Sequence, residues 1–107
     1  MKQDEHFTKM VFRQFEGETI ALMPEYLASD AKGGPFCDSY MHTGQHGAAS
    51  YEHIMKNSQP STPEQIKTLK VELENRGYKV KPVKRRSSRM YDNFLLELYE
   101  YRNKLTK

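Results

Sequence analysis

The strongest constraint on the fold of this chain is a pair of short apolar runs that an acid–glycine dipeptide separates. Residues 9–15 and 18–23 are rich in aliphatic, aromatic and β-branched side chains, and Glu16-Gly17 lies between them. Because glycine tolerates the positive φ angles of a tight turn, the pattern predicts an antiparallel hairpin whose second strand ends at Pro24. Such a hairpin must bury one apolar face, so the rest of the chain has to supply a cover.

A third strand is predicted over residues 36–42, where apolar and polar side chains alternate. The stretch Gly44-Gln45-His46-Gly47 follows, and apolar residues at helical spacing then predict a helix over 48–57. The sequence therefore predicts that residues 39–48, which we call the His-Gly joint, carry the chain from a strand into a helix. Successive side chains of a strand point to opposite faces. One face would carry Phe36, Asp38, Tyr40 and His42, and the other Cys37, Ser39 and Met41.

The second half of the chain contains the clearest local signal, at Thr62-Pro63-Glu64-Gln65. It offers a capping hydroxyl, a proline at the first helical position and a glutamine at the capping-box position, and it predicts a helix over 63–76 that Gly77 ends. A short strand over 78–82 follows, and Pro82 restricts it to a sheet edge. A final helix is predicted over 89–105 from an apolar stripe. That stripe consists of Tyr91, Phe94, Leu95, Leu98, Tyr101 and Leu105.

These elements predict one α+β domain, with a small antiparallel sheet packed with about three helices. The sheet would be a three-stranded meander plus a short fourth edge strand. A length of 107 residues suits a single domain. We divide the chain into a flexible N-terminus (1–8), an α+β core domain (9–83), a basic joint (84–88) and a C-terminal amphipathic helix (89–107).

The bulk sequence also predicts a location. A single cysteine, Cys37, excludes an internal disulfide and favours a reducing compartment. The N-terminal residues do not resemble a secretory signal, and no apolar run is long enough to span a bilayer. We therefore expect a cytoplasmic protein without a membrane partner.

Several stretches carry a resemblance to a known group of proteins. They are Val11-Phe12-Arg13, Ile20-Ala21-Leu22-Met23-Pro24, Ser39-Tyr40-Met41-His42-Thr43-Gly44-Gln45-His46-Gly47-Ala48, Thr62-Pro63 and Gly77-Tyr78. Over about residues 9–80 the chain resembles small uncharacterised bacterial proteins from gut anaerobes and their mobile elements. The resemblance implies one compact domain in a bacterial cytoplasm, and it brings no known activity.

The His-Gly joint suggests three kinds of chemistry. Cys37, His42, His46 and His53 could ligate zinc, although their spacing matches no strong metal template. Strand alternation places Cys37 and His42 on opposite faces, which counts against a metal site and also against a Cys–His nucleophile. A helix that starts after Gly47 could hold a phosphate or carboxylate over its backbone N–H groups.

The alternative for the His-Gly joint is a purely structural turn that its two glycines shape. From the joint we predict no catalytic residue, no metal ligand and no cofactor. The hypothetical ligand-binding residues are His42, Gly44, Gln45, His46 and Gly47.

Charge is concentrated in one short segment. Residues 1–78 hold eight Lys/Arg and eleven Asp/Glu, whereas residues 79–89 hold six Lys/Arg and no acid. The segment could contact phosphates, with Tyr78 and Tyr91 as stacking surfaces, or it could be a solvated edge strand whose lysines discourage sheet pairing. The hypothetical nucleic-acid-binding residues are Lys79, Lys81, Lys84, Arg85, Arg86 and Arg89.

The last helix leaves two interpretations open. Its apolar stripe could cover the chain's own sheet, or it could pair with a partner protein or a second copy. Taken with the basic segment, it favours a non-enzymatic binding or accessory module that interacts with protein or nucleic acid. The alternative is a small anion-, phosphate- or metal-binding module, with or without catalytic activity, centred on the Gly44-Gln45-His46-Gly47 turn.

Overall fold

A computed structural model describes residues 7–28, 34–41 and 45–105, without the side chains of Gln45, His46 and Leu105. This part of the chain is an α+β structure with an antiparallel sheet and three helices, which confirms the predicted fold class. The strands are β1 (Thr8–Phe15), β2 (Glu18–Leu27), β3 (Cys37–Met41), β4 (Gln45–Ala49), β5 (Gln59–Pro60) and β6 (Val80–Val83). The helices are α1 (Tyr51–Lys56), α2 (Pro63–Asn75) and α3 (Ser88–Leu105).

The sheet is larger than the sequence predicts. Strands β1 to β4 form an antiparallel meander in the order β4-β3-β2-β1. On its outer side β1 pairs with two short strands: β5 runs antiparallel beside Arg13 and Gln14, and β6 runs parallel from Thr8 to Val11. Strands β4 and β5 were not predicted. The edge position predicted for the proline-containing strand is confirmed, since β6 pairs only with β1 in the described chain.

The first hairpin forms where the sequence predicts it, with Phe15 opposite Glu18. Both turn residues have positive φ, 52° at Glu16 and 83° at Gly17, as two-residue hairpins of the primed types require. The expected end of β2 at Pro24 is wrong, because the strand continues to Leu27. The register with β3 shifts between Met23 and Leu27, and this irregularity accommodates a residue that cannot donate to the ladder.

The His-Gly joint is not a strand-to-helix joint, and the predicted helix over 48–57 is wrong at its start. Gln45–Ala49 forms β4, which pairs with β3 as a hairpin. Helix α1 begins only at Tyr51, after Ser50, whose side chain accepts a hydrogen bond from the backbone N–H of His53. The apolar spacing at the start of the predicted helix over 48–57 suits a helix, but this local preference is weak. Pairing with β3 overrides it. Residues 42–44 lie outside the described chain.

Helices cover both faces of the sheet. Alternation along β3 is confirmed, because Cys37 and Met41 lie on the face under α1 and α3, and Tyr40 lies on the face under α2. Helix α3 packs on the chain's own sheet through Phe94 and Leu98, so the first interpretation of its stripe is confirmed. The core under α1 and α3 contains Val11, Ile20, Leu22, Cys37, Ala49, Tyr51, Ile54, Phe94 and Leu98. The core under α2 contains Met10, Phe12, Ala21, Met23, Tyr40, Leu69, Leu73 and Val80.

Helix α2 has the caps that the sequence predicts. The Thr62 hydroxyl accepts from the Gln65 backbone N–H, and the Gln65 side chain accepts from the Thr62 N–H, which completes the capping box. At the other end Gly77 has a φ of 103°. Its N–H and that of Tyr78 donate to the last carbonyls of the helix in a Schellman arrangement, which turns the chain toward β6.

Candidate ligand-binding groove

The hypothetical ligand-binding residues of the His-Gly joint are only partly placed. Gly47 lies in β4, where its carbonyl accepts a hydrogen bond of 2.8 Å from the Ser39 hydroxyl. Residues 47–49 form a strand rather than the start of a helix, so the helix N-terminus on which the anion-binding hypothesis rested is not present there. Gln45 and His46 contribute backbone to β4, and their side chains lie outside the described part. His42 and Gly44 lie outside it altogether.

The cysteine has the properties of a buried structural residue. Burial raises the pKa of the Cys37 thiol to about 12, so at neutral pH it is almost entirely protonated. The cavity beside it is only about 40 Å³. His53 is exposed on α1 and packs edge-on against Phe15. Within residues 7–28, 34–41 and 45–105, no three His, Cys, Asp or Glu side chains are grouped to hold a metal ion.

Tyr40 anchors α2 to the sheet. Its side chain is fully buried, and its hydroxyl donates a short hydrogen bond to the Glu72 carboxylate of α2. Burial first, and then the bond to Glu72, raise the pKa of the Tyr40 hydroxyl. The Arg76 guanidinium lies 5.3 Å from the centre of the Tyr40 ring. These contacts give Tyr40 a structural role in holding a helix against β3.

Arg86 is held in a cluster that we call the Arg86 clasp, consisting of Tyr51, Glu52, Arg86 and Tyr91. The guanidinium lies 4.2 Å from the centre of the Tyr51 ring and 4.1 Å from that of Tyr91. It donates to Glu52 at 2.7 Å, and the Arg86 backbone N–H donates to the Tyr51 hydroxyl at 2.8 Å. The clasp fixes the chain between β6 and α3 against α1. Arg86, one of the residues predicted to bind nucleic acid, therefore has a structural role. The Tyr91 ring, predicted as a stacking surface, is already in contact with the Arg86 guanidinium.

The other residues of the basic segment are distributed over β6 and the residue before it, the start of α3 and the segment between β6 and α3. Lys79 is exposed just before β6, Lys81 is half-buried within β6, and Arg89 is exposed in the first turn of α3. Lys84 and Arg85 are exposed between β6 and the Arg86 clasp. The structure brings these last two residues to the same groove, and they are the part of the basic segment that a ligand can reach together.

That groove, which we call the edge groove, lies where β5 and β6 meet beside β1. Its volume is about 740 Å³, within the range of sites for small ligands or single peptide side chains. Its floor is apolar, and the described residues that line it include three cations and no acid. The apolar lining residues are Phe12, Met55, Pro60, Ile66, Pro82 and Val83, and the polar ones are Arg13, Ser61, Lys84 and Arg85.

Two polar residues of the edge groove have contrasting environments. Arg13 is fixed: its guanidinium donates to the Ser58 hydroxyl at 2.8 Å, the Ser58 carbonyl at 2.7 Å and the Met55 carbonyl at 3.3 Å. Ser61 donates its backbone N–H to the Phe12 carbonyl at 3.3 Å. The Ser61 hydroxyl oxygen is buried and has no hydrogen-bond partner among the described residues. A buried hydroxyl without a partner is uncommon.

Sequence reasoning did not identify Arg13, Ser58 or Ser61 as site residues. One signal was available for Arg13, which interrupts an apolar strand with a charge that needs specific partners. No comparable signal marks Ser61, because its importance depends on where β5 ends against β1. The groove itself forms from three separate stretches of chain, so it has no local motif.

Comparison with known proteins adds no information about the groove. A scan against protein-family models matches no family, and searches of curated proteins and of solved structures return no significant match. The resemblance to small proteins of gut anaerobes stays a prediction. No helix in the described ranges is long and apolar enough to cross a membrane.

Proposed function

We propose that this protein is a non-enzymatic binding module whose edge groove receives an anionic partner with an apolar anchor. The observation that carries the proposal is the combination in one groove of an apolar floor, three cationic side chains and no acid. Apolar pockets with a few convergent polar groups are the usual form of ligand sites. Lys84 and Arg85 would contact the anion.

An acidic protein segment fits the edge groove better than a nucleic acid does. Proteins that bind single strands use exposed aromatic rings as stacking surfaces. Among the described residues, Phe12 is the one aromatic residue that lines the groove, and only 4% of its surface is exposed. An aliphatic anchor between Pro60, Ile66 and Pro82, flanked by carboxylates near Lys84 and Arg85, would match both the shape and the charge. The single buried cysteine supports a reducing, cytoplasmic setting for such an interaction.

The proposal can be tested by NMR titration of the ¹⁵N-labelled chain with three probes. One is a short acidic peptide with a central leucine, the second is the same peptide with its acids changed to lysine, and the third is a thymidine oligonucleotide. We expect the acidic peptide to shift the amide resonances of Ser61, Lys81, Val83 and Lys84. The affinity of the peptide should fall as the salt concentration is raised.

Variants of the edge groove separate charge from shape. Lys84→Glu together with Arg85→Glu should abolish binding of the acidic peptide, whereas Lys79→Glu, outside the groove lining, should leave it unchanged. A response to the oligonucleotide but not to the peptide would mean that the partner is a nucleic acid rather than a protein. If no probe shifts the groove amides at millimolar concentration, the proposal is wrong.

A further inference from the structure

The two outer edges of the sheet differ in a way that the edge groove does not explain. One edge consists of β5 and β6, which are short and contain Pro60 and Pro82. We call it the protected edge, because short strands, prolines and lysines are the usual means of preventing strand pairing. The other edge is β4, whose sequence Gln-His-Gly-Ala-Ala contains neither proline nor a formal charge. We call it the open edge, since no described element pairs with its outer side.

The orientation of the backbone at the open edge follows from a hydrogen bond at the start of β3. The Phe36 carbonyl, just before β3, accepts from the N–H of Ala28, just after β2, so this carbonyl points toward the β2 side. The direction of the backbone N–H and C=O groups alternates along a strand. Those of Cys37, Ser39 and Met41 therefore point toward β4. Their partners are Gln45, Gly47 and Ala49. The N–H and C=O groups of His46 and Ala48 therefore point away from the sheet.

Neither backbone conformation nor crowding by the described residues requires a glycine at position 47. Its φ is not positive, and a Cβ atom added to it would meet nothing within 4 Å. Glycine inside a strand costs about 0.5–1 kcal/mol relative to alanine, and it often marks a point where another backbone approaches. Ala48, next to it, is exposed. The open edge thus presents outward backbone groups between small residues.

We propose that the open edge is a strand-addition site for a second copy of this chain. In a two-fold antiparallel pair centred on Gly47, His46 of each copy would lie opposite Ala48 of the other, and their outward groups would form about four hydrogen bonds. The two Gly47 residues would meet at the axis. Self-pairing suits the charge of this edge, because β4 has no charged side chain to select an acidic or basic partner.

The protected edge predicts where such assembly ends. A two-fold pair uses both open edges, and the edges that remain contain Pro60 and Pro82. Growth beyond a dimer is therefore blocked. This inference does not depend on the edge groove, which lies on the opposite side of the sheet.

The test is sedimentation velocity of the full chain from about 10 µM to 1 mM, the range appropriate for a small interface. We expect a monomer–dimer equilibrium. Ala48→Pro removes one outward N–H per copy without touching the bonds to β3, and it should raise the dimer dissociation constant by about tenfold or more. Ala48→Thr keeps the N–H and should dimerise like the wild type.

Hydrogen exchange provides a second readout that needs no variant. The amides of His46 and Ala48 should exchange more slowly as the protein concentration rises, whereas the Gly47 amide, already bonded to β3, should not respond. A chain that stays monomeric throughout, a dimer that Ala48→Pro leaves intact, or oligomers beyond the dimer would each overturn the proposal.

Discussion

The protected edge and the open edge of this sheet are held in place by different means. The protected edge is held by side-chain contacts between distant parts of the sequence. Arg13 donates hydrogen bonds to the end of α1 and to Ser58 beyond it, and the Arg86 clasp fixes the segment after β6. At the open edge, β4 is held mainly by its ladder with β3 and by the Ser39–Gly47 hydrogen bond. Short strands with prolines need side-chain anchors, whereas a strand in a regular hairpin does not.

The largest expected effect concerns Arg13. Arg13→Ala removes three hydrogen bonds from a charged donor to Ser58 and Met55, and we expect a loss of about 2–3 kcal/mol in the free energy of unfolding. Arg13→Lys should recover less than half, because a single ammonium group cannot reproduce the planar fork. Urea denaturation measures both. A loss below about 0.5 kcal/mol would show that the protected edge does not depend on this anchor.

The Arg86 clasp should have the next largest effect. Arg86→Ala removes the ion pair with Glu52 and two ring contacts, and we expect a loss of about 1–2 kcal/mol. Gln in place of Arg86 is the control that removes the charge but keeps a hydrogen-bond donor on a shorter side chain. Urea denaturation of both variants beside the wild type gives the comparison. If Arg86→Gln and the wild type are equally stable, the positive charge of Arg86 does not contribute to the stability of the clasp.

The pH dependence of the clasp has a definite sign. The hydrogen bond from Arg86 lowers the pKa of the Glu52 carboxyl below its ordinary value of 4.5. A group whose pKa is lowered by folding adds stability above its unfolded pKa and loses it as pH falls through the folded one. Glu52 is 69% exposed, so we expect only a small effect. The stability difference between wild type and Glu52→Gln should therefore be visible at pH 7 and should diminish as the pH falls below 4.5.

Two glycines provide a matched comparison of the edges. Gly77 precedes β6 with a φ of 103°, so Gly77→Ala should cost about 1 kcal/mol. Gly47 in β4 has no positive φ and open space around it, so Gly47→Ala should be neutral or stabilise the monomer by up to about 1 kcal/mol. Thermal melts at low protein concentration check both. A large loss for Gly47→Ala would mean that β4 is constrained in a way the structure does not show.

The smallest expected signal is the reactivity of Cys37, which reports on opening of the β3–β4 hairpin. With a pKa of about 12, only about one thiol in ten thousand is ionised at pH 8. Iodoacetamide should therefore modify Cys37 no faster than the chain unfolds. Modification under native conditions that outpaces global unfolding, measured by mass spectrometry, would show that the open edge frays locally.

The sequence predicts well those elements whose signals are local. The Glu16-Gly17 hairpin, the capping box at Thr62 and the alternation along β3 all appear in the structure as expected. In each case a backbone preference or a side-chain period fixes the result before any distant contact forms. The His-Gly joint was predicted wrongly. The five residues of β4 are small or polar and have no strong secondary-structure preference, so pairing with β3 decided their structure.

The candidate site was much less predictable than the fold. Lys84 and Arg85 were identified from charge alone, but the same reasoning included Arg86, which the clasp holds between two rings. Charge density along a sequence does not show which cations are already paired. Ser61 gave no signal at all, since a hydroxyl becomes unpartnered only when its surroundings close over it.

By itself, the sequence determined the class of fold, the positions of the caps and turns, and the separation of Cys37 from the face that carries Tyr40. These follow from short-range sterics and from the periods of strands and helices. Only the tertiary structure decided that β1 receives β5 and β6 on one side, that this edge holds a groove, and that β4 is left open on the other. Strand pairing joins segments far apart in the chain, and no local preference specifies which edges will meet.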